Sequence, residues 1–230
     1  MKLETKSNRS TVKNLEKEEE MRDILISLGI KPSDIFFAEK LLFVEGESDR
    51  RFFEKLSIKL NMPLFKYGIA VYPLGGASKG KRHLDMWNTI TKDVRIPKFF
   101  VLDKDAENEA NDLRQKDPSV NIHVLEKGEL EDYYPGSLIL EGIQAITNTK
   151  FSEEEVKKYK EIIEKEKKKI KAIFRILGEK GFLDQKEKES KEKEFRWKIQ
   201  LAEYVSKNIK KKDIPSEIKK VITNVVATLR

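Results

Sequence analysis

The chain of 230 residues contains no cysteine. This absence excludes thiolate catalysis, disulfide bonds and zinc held by cysteine. Histidine is also scarce, because the chain has two histidines, His83 and His123, which stand apart from each other. We therefore expect neither a histidine-based zinc site nor a histidine acting as the catalytic base.

Long apolar runs are missing as well. No stretch approaches the roughly eighteen apolar residues that a membrane-spanning helix needs, and the N-terminus has no apolar signal region. We therefore expect a cytoplasmic protein that has no membrane partner.

The charge balance is basic. Lysine and arginine number 47 against 40 acidic residues, which gives a net charge of +7 and a pI near 9.2. This balance favours nucleic acid or another anionic surface as the partner. Lysine-rich helices produce the same pI without nucleic acid, so that alternative stays open.

Two apolar segments end in carboxylates. Residues 41–49 read LLFVEGESD, and residues 99–105 read FFVLDKD. Each apolar run suits a buried parallel strand, and ligands in open α/β sheets bind at the carboxyl ends of strands. We therefore expect Glu45, Asp103 and Asp105 to lie close together, where they would repel one another unless protons or cations intervene. Hard divalent cations such as Mg²⁺ prefer oxygen ligands, so the pattern predicts a metal site. The alternative is that all three are ordinary loop and strand-end carboxylates.

Strand and helix patterns alternate over the first two thirds of the chain. Apolar runs at 41–44, 69–74, 99–102 and 121–125 are separated by helical patterns, which predicts an α/β fold with a parallel sheet of about four strands flanked by helices. Beyond it, the pattern predicts a C-terminal helical subdomain with one long helix over 151–177, a solvated Lys/Glu run at 186–194, and helices near 194–209 and 216–228. The predicted domains are a connector at 1–38 with a helix over 18–28, a sheet domain at 39–147 and the helical subdomain at 148–230.

The two carboxylate motifs resemble the TOPRIM domain that topoisomerases, bacterial primases and several nucleases share. Glu45 stands in its Glu-Gly motif, and Asp103 and Asp105 form its Asp-x-Asp motif. The longer segment 36–49, FFAEKLLFVEGESD, resembles the OLD (overcoming lysogenization defect) family of nucleases. In that family an ATPase domain runs into a C-terminal TOPRIM domain. The resemblance covers about residues 20–135 and continues more weakly to about 205. It implies DNA as a partner and an ATPase domain in the full-length protein, with residues 1–38 as the tail of that domain.

The resemblance also implies a set of metal ligands. Two Mg²⁺ or Mn²⁺ ions would be held by Glu45, Asp49, Asp103, Asp105 and Glu131. For Asp49, the alternative is a carboxylate that caps the N-terminus of a helix.

The acidic segment 129–133 resembles an element that follows the sheet in OLD proteins. Glu131 or Asp132 would supply the ligand there, and the alternative is a charged loop that packs on Tyr133.

One lysine joins the predicted catalytic set of Glu45, Asp103 and Asp105. Lys198 and Ala202 match a Lys-x-x-x-Ala pattern whose lysine stabilises the scissile phosphate in OLD nucleases. The alternative is a lysine at the edge of an apolar helical stripe that reaches out to water.

Residues 75–82, GGASKGKR, imitate a nucleotide-binding loop. They satisfy G-x4-G-K between a strand and a helix, but Arg82 stands where such a loop needs Ser or Thr for Mg²⁺. We therefore expect no nucleotide hydrolysis here. Lys79, Lys81 and Arg82 beside glycine amides are instead predicted to contact DNA phosphates.

Together these patterns predict a metal-dependent DNA endonuclease that hydrolyses phosphodiester bonds with two metal ions. The family resemblance adds a role in defence against phage or in DNA repair. Two alternatives stay open. One is another TOPRIM chemistry, primer synthesis or strand passage, against which the lack of a zinc-ligand set and of a separate tyrosine domain argues. The other is a non-catalytic module that binds DNA or a protein partner.

Overall fold

The computed structural model describes residues 38–90, 96–183 and 187–228. The predicted helix over 18–28, like nearly all of the predicted connector, lies outside the described residues. Among the residues that are described, no helix combines the length and the apolar character needed to cross a membrane.

Four parallel strands form one sheet, which confirms the predicted α/β architecture. The strands pair in the order β2-β1-β3-β4, so that β1 and β3 are the central pair. Every residue of β1 and of β3 is buried, as the continuous apolar runs of these strands require. The strands are β1 Lys40–Val44, β2 Ile69–Pro73, β3 Lys98–Leu102 and β4 Asn121–Val124.

Helices surround the sheet, and eight α-helices lie within the described residues. Three of them connect the strands: α1 Glu47–Lys59, α2 Gly80–Ile90 and α3 Glu107–Lys116. Five follow the sheet, the last four of them within the predicted helical subdomain at 148–230: α4 Gly136–Thr147, α5 Glu153–Lys165, α6 Lys169–Glu179, α7 Glu187–Asn208 and α8 Ser216–Ala227.

The two faces of the sheet bury two separate hydrophobic clusters, because successive side chains of a strand point to opposite faces. Leu41 and Phe43 of β1 pack with α2 and α3. Leu42 and Val44 belong to one cluster with residues of α1 and of all five C-terminal helices. The helices after the sheet therefore share one continuous core with the face of the sheet that α1 covers.

The prediction of one long helix over 151–177 is wrong. Two helices occupy this stretch, because α5 ends at Lys165 and α6 begins at Lys169, with Glu166 and Lys168 in extended conformations. The backbone N–H of Lys169 donates to Asp132 Oδ1 at 2.7 Å, and this tertiary hydrogen bond replaces a helical one. The residues 165–168, KEKK, carry no apolar side chain that would hold a continuous helix against the core.

Two further elements differ from the sequence-based expectation. Helix α7 begins at Glu187, inside the Lys/Glu run that was expected to be solvated and separate from the helix near 194–209. Lysine and glutamate are both good helix formers, so the run extends the helix. Helix α4 was not predicted, since the Pro135-Gly136 pair reads as a break. Pro135 precedes the first helical residue instead, a position that its fixed φ suits.

Gly142 lets α4 approach α7 closely. A Cβ at this position would lie 2.6 Å from Leu201 Cδ1 and 3.0 Å from Tyr204 Cδ1. We expect Gly142→Ala to lower the free energy of unfolding by about 1–3 kcal/mol, the usual cost of overpacking a core. Urea denaturation of the full chain measures this difference.

Gly178 of α6 provides the matched control, because among the described residues no atom beyond its chain neighbours and its own helix backbone lies within 4 Å of the corresponding Cβ. Gly178→Ala should leave stability unchanged or raise it by up to about 1 kcal/mol, since alanine restricts the unfolded chain. Equal effects of the two substitutions would contradict the close contact of α4 with α7.

Candidate metal centre

Glu45 and Asp103 meet at the point where the strand order reverses. The chain leaves β1 towards β2 on one side and returns to β3 on the other, so the carboxyl ends of β1 and β3 flank the crevice in which open sheets bind ligands. Glu45 follows β1 and Asp103 follows β3. The backbone N–H of Asp103 donates to Glu45 Oε1 at 2.7 Å. The structure thus brings these two predicted site residues into direct contact.

The glycine loop after β2 fixes the backbone of Glu45. The N–H groups of Gly75 and Gly76 both donate to the carbonyl oxygen of Glu45, at 3.0 and 3.1 Å. Both glycines have positive φ, +71° and +115°, a backbone conformation that favours glycine. These two amides therefore already have an acceptor within the protein. This structural role accounts for the glycines that make the loop resemble a nucleotide-binding loop.

The three basic residues of this loop region are exposed. Lys81 forms an ion pair with Asp112 of α3 at 2.6 Å. Contact of Lys79, Lys81 and Arg82 with DNA stays a prediction, because neither this pairing nor their exposure tests it.

Asp49 occupies the first turn of α1 and faces the same crevice. Its Oδ2 accepts the N–H of Gly46 at 2.8 Å, so Asp49 does cap the helix, as its alternative role requires. Burial of its carboxyl group, helped by the charges of Glu131 and Glu45, raises its pKa to about 7. A capping role does not occupy the second carboxylate oxygen, which contacts only the Ser48 hydroxyl at 3.4 Å among the described hydrogen bonds.

Asp103 has a strongly raised pKa. Burial raises its pKa to about 9, and the charges of Glu45, Asp49 and Glu131 add to the effect. Burial also raises the pKa of Glu45, against the opposing hydrogen bond from the Asp103 N–H. Ionising these carboxyl groups together costs free energy. The site therefore favours either protonated carboxyl groups or a bound multivalent cation.

Glu131 and Lys198 complete the inner part of the site. Glu131 lies in the 3₁₀ turn Leu130–Tyr133 after β4 and is 3% exposed. Lys198 of α7 places its Nζ 3.6 Å from Glu131 Oε1 and 3.6 Å from Glu129 Oε2. Burial alone would lower the pKa of Lys198, but the neighbouring carboxylates outweigh burial and raise it, so the ammonium stays charged. Helix α7 therefore places Lys198 beside these acids, and its role at the scissile phosphate stays a prediction.

Asp105 lies at the outer edge of the site rather than inside it. Its side chain is 71% exposed, and its Oδ2 accepts a hydrogen bond from Lys168 Nζ at 3.1 Å. The same ammonium donates to Glu129 Oε1 at 2.8 Å. Neither Lys168 nor Glu129 was selected from the sequence. The acidic segment 129–133 pointed to Glu129, whereas no local pattern distinguished Lys168 from its lysine neighbours.

The donor set suits a hard divalent cation. The candidate ligands offer only carboxylate oxygens, which Mg²⁺ and Mn²⁺ prefer. Within the described ranges, no three acidic or histidine side chains are gathered tightly enough to hold one ion. The carboxylates raise one another's pKa, yet they are not centred on one point. The residues fit the chemistry of a divalent metal, and its coordination stays a prediction.

Comparisons with known proteins relate part of this chain to a family. Residues 36–105 match the family described as "Overcoming lysogenization defect protein-like, TOPRIM domain". This segment contains both carboxylate motifs. No curated protein matches the sequence significantly.

Solved structures of similar fold were also found. The C-terminal region of the OLD protein of Xanthomonas campestris pv. campestris, phased with platinum, superimposes with a TM-score of 0.55 at 15% identity. That likeness covers 84% of this chain and 94% of the other. The C-terminal region of the Burkholderia pseudomallei OLD protein gives a TM-score of 0.51 at 16% identity, over 83% and 100% of the two chains. The predicted resemblance is confirmed for the TOPRIM segment and for the fold.

The raised pKa of Asp103 predicts how stability depends on pH. A carboxyl group whose pKa is higher in the folded than in the unfolded chain binds an extra proton when folded. The free energy of unfolding therefore falls as pH rises from about 4, the unfolded pKa, towards the folded pKa of about 9. We expect Asp103→Asn to remove this contribution, so that between pH 6 and pH 8 the wild type loses about 2–3 kcal/mol more of its free energy of unfolding than the variant does. Urea denaturation in EDTA at both pH values measures the difference.

Asp213 is exposed and lies in a short turn before α8, so Asp213→Asn serves as the matched control. Its pH dependence should follow that of the wild type. A wild-type pH dependence in Asp103→Asn would show that Asp103 is not held in a repelling cluster.

Proposed function

We propose that this chain is the nuclease region of an OLD-like protein and cleaves DNA phosphodiester bonds with the help of divalent metal ions. The observation that carries the proposal is the contact of Glu45 with Asp103 at the switch point of the sheet. Lys198, more than ninety residues later, faces the same group of acids. The family match over residues 36–105 supports it, because the matched segment contains both motifs.

The proposed metal ligands are Glu45, Asp49, Asp103, Asp105 and Glu131. These residues would hold two Mg²⁺ or Mn²⁺ ions, which supply an activated water and stabilise the leaving oxygen when they are bound. The hydrogen bond from the Asp103 N–H keeps the Glu45 carboxylate at the end of β1. Glu45, Asp103, Asp105 and Lys198 are the proposed catalytic residues.

Lys198 would act on the substrate through its charge. Its side chain is 32% exposed, and its ammonium lies 3.6 Å from carboxylate oxygens of Glu129 and Glu131. A fixed cation at this place would neutralise negative charge that develops on the phosphate during cleavage. Lys79, Lys81 and Arg82 follow the carboxyl end of β2, at the same edge of the sheet, and would bind DNA phosphates further from the centre.

The wider setting is also part of the proposal. The full-length protein would carry an ATPase domain before this region and act in the cytoplasm, in defence against phage or in DNA repair. These statements rest on the likeness to OLD proteins.

Incubation with supercoiled plasmid tests the activity. We expect nicked or linear DNA with Mg²⁺ or Mn²⁺ and intact plasmid with EDTA. Glu45→Gln and Asp103→Asn should each slow cleavage about a hundred-fold or more, because each removes a charged ligand from the centre. Circular dichroism and urea denaturation check that both variants are folded.

Glu141→Gln is the matched control, since Glu141 is exposed on α4 and takes no part in the site. It should cleave at the wild-type rate. Undiminished cleavage by both site variants would overturn the proposal. DNA binding without any metal-dependent cleavage would favour the non-catalytic module instead.

A further inference from the structure

The break between α5 and α6 places one lysine of a lysine-rich stretch at the outer edge of the candidate metal centre. Lys165 and Lys167, on either side of Glu166, are exposed. Lys168, in contrast, reaches two carboxylates that belong to other parts of the chain, Asp105 after β3 and Glu129 after β4. The sequence around Lys168 gives no reason to single it out, but its position does.

Lys169 fixes the segment in place. Its backbone N–H donates to Asp132 Oδ1 at 2.7 Å, and its Nζ donates to the carbonyl oxygens of Asp132 and Tyr134 at 3.0 and 2.6 Å. Both acceptors lie in or beside the turn Leu130–Tyr133, which carries Glu131. Lys168 is therefore attached to the same turn as the proposed metal ligand Glu131, and its position does not depend on its own ion pairs alone.

The Lys168 ammonium has donor capacity to spare. A lysine ammonium carries three N–H donors, and Asp105 and Glu129 accept two of them. The side chain is 36% exposed, so the third donor has access to a ligand at the mouth of the site. The hydrogen bonds to Glu129 and Asp105 also raise the pKa of Lys168, so it stays charged.

Glu129 holds Lys168 and Lys198 side by side. Its Oε1 lies 2.8 Å from Lys168 Nζ, and its Oε2 lies 3.6 Å from Lys198 Nζ. One carboxylate thus positions two cations at the entrance to an acidic site. DNA phosphates are repelled by carboxylates, so an acidic centre that accepts DNA needs positive charge where the phosphate arrives.

We propose that Lys168 is a second phosphate-binding residue of the site, which donates to a non-bridging oxygen of the DNA backbone next to the position of Lys198. Glu129 is the positioning residue that spaces the two ammonium groups. This inference rests on the proposed function, because it takes DNA as the ligand.

DNA binding measured without cleavage tests the proposal. In a Glu45→Gln background with Mg²⁺, the anisotropy of a labelled duplex is followed over a series of salt concentrations. Lys168→Ala should weaken binding about three- to ten-fold and reduce the slope of log affinity against log salt by about one phosphate contact. Lys168→Arg, which keeps the charge, should restore most of the affinity and the slope.

Lys171→Ala is the matched control, because Lys171 is exposed on α6 and is not part of the site. It should keep the parent affinity and slope. Urea denaturation should show that Lys168→Ala unfolds at nearly the same urea concentration as its parent, because ion pairs near the surface contribute little to stability. A purely structural role for Lys168 would leave the salt slope unchanged, and that result would overturn the inference.

The outcome for Lys168 is separable from that for the nuclease. If the wild type fails to cleave plasmid but Lys168→Ala still reduces the salt slope, the phosphate contact holds and the cleavage proposal fails. If the wild type cleaves and the slope is unchanged, the nuclease stands and Lys168 is excluded as a DNA contact. If the Glu45→Gln parent does not bind DNA at all, the inference fails.

Discussion

Repulsion between carboxylates at the ends of β1 and β3 is the constraint around which this site is built. Burial would favour neutral groups there, and each acid makes its neighbours harder to ionise. The chain offsets this cost with fixed hydrogen bonds. The Asp103 N–H binds the Glu45 carboxylate, and the Gly46 N–H binds the Asp49 carboxylate. The Gly75 and Gly76 amides fix the backbone of Glu45 through its carbonyl oxygen. Lys198 and Lys168 add positive charge from later parts of the chain.

The hydrophobic core supplies the stability that such a site requires. The central strands are buried on both faces. Leu42 and Val44, on one face of β1, belong to the same hydrophobic cluster as α1 and the C-terminal helices. Tyr134 links this core to the site, because its ring stacks on Phe52 of α1 with centroids 5.2 Å apart, and it directly follows the turn that carries Glu131. Helix α7 packs on the same cluster, and this contact places Lys198 against the acids. The helical region after the sheet therefore forms one wall of the site.

The parts of the site that a local pattern encodes could be predicted from sequence. Apolar runs that end in carboxylates located Glu45 and Asp103, because a buried parallel strand needs such a run and its end faces the crevice. Lys168 could not be found in this way. The break that positions it contains neither glycine nor proline, and it depends on hydrogen bonds between Lys169 and the distant residues Asp132 and Tyr134. The glycine loop also depends on a distant partner, since its first two amides bind the Glu45 carbonyl oxygen. Its contact with DNA phosphates stays a prediction.

The central claim is that the acids at the switch point of the sheet bind divalent metal. Anomalous diffraction from crystals grown with Mn²⁺ tests it most directly, because the anomalous signal locates the ion independently of any activity. Our account predicts a peak in contact with the carboxylates of Glu45 and Asp103, at the ends of β1 and β3. Peaks found only at exposed carboxylates elsewhere, such as Glu141 or Asp213, would contradict it.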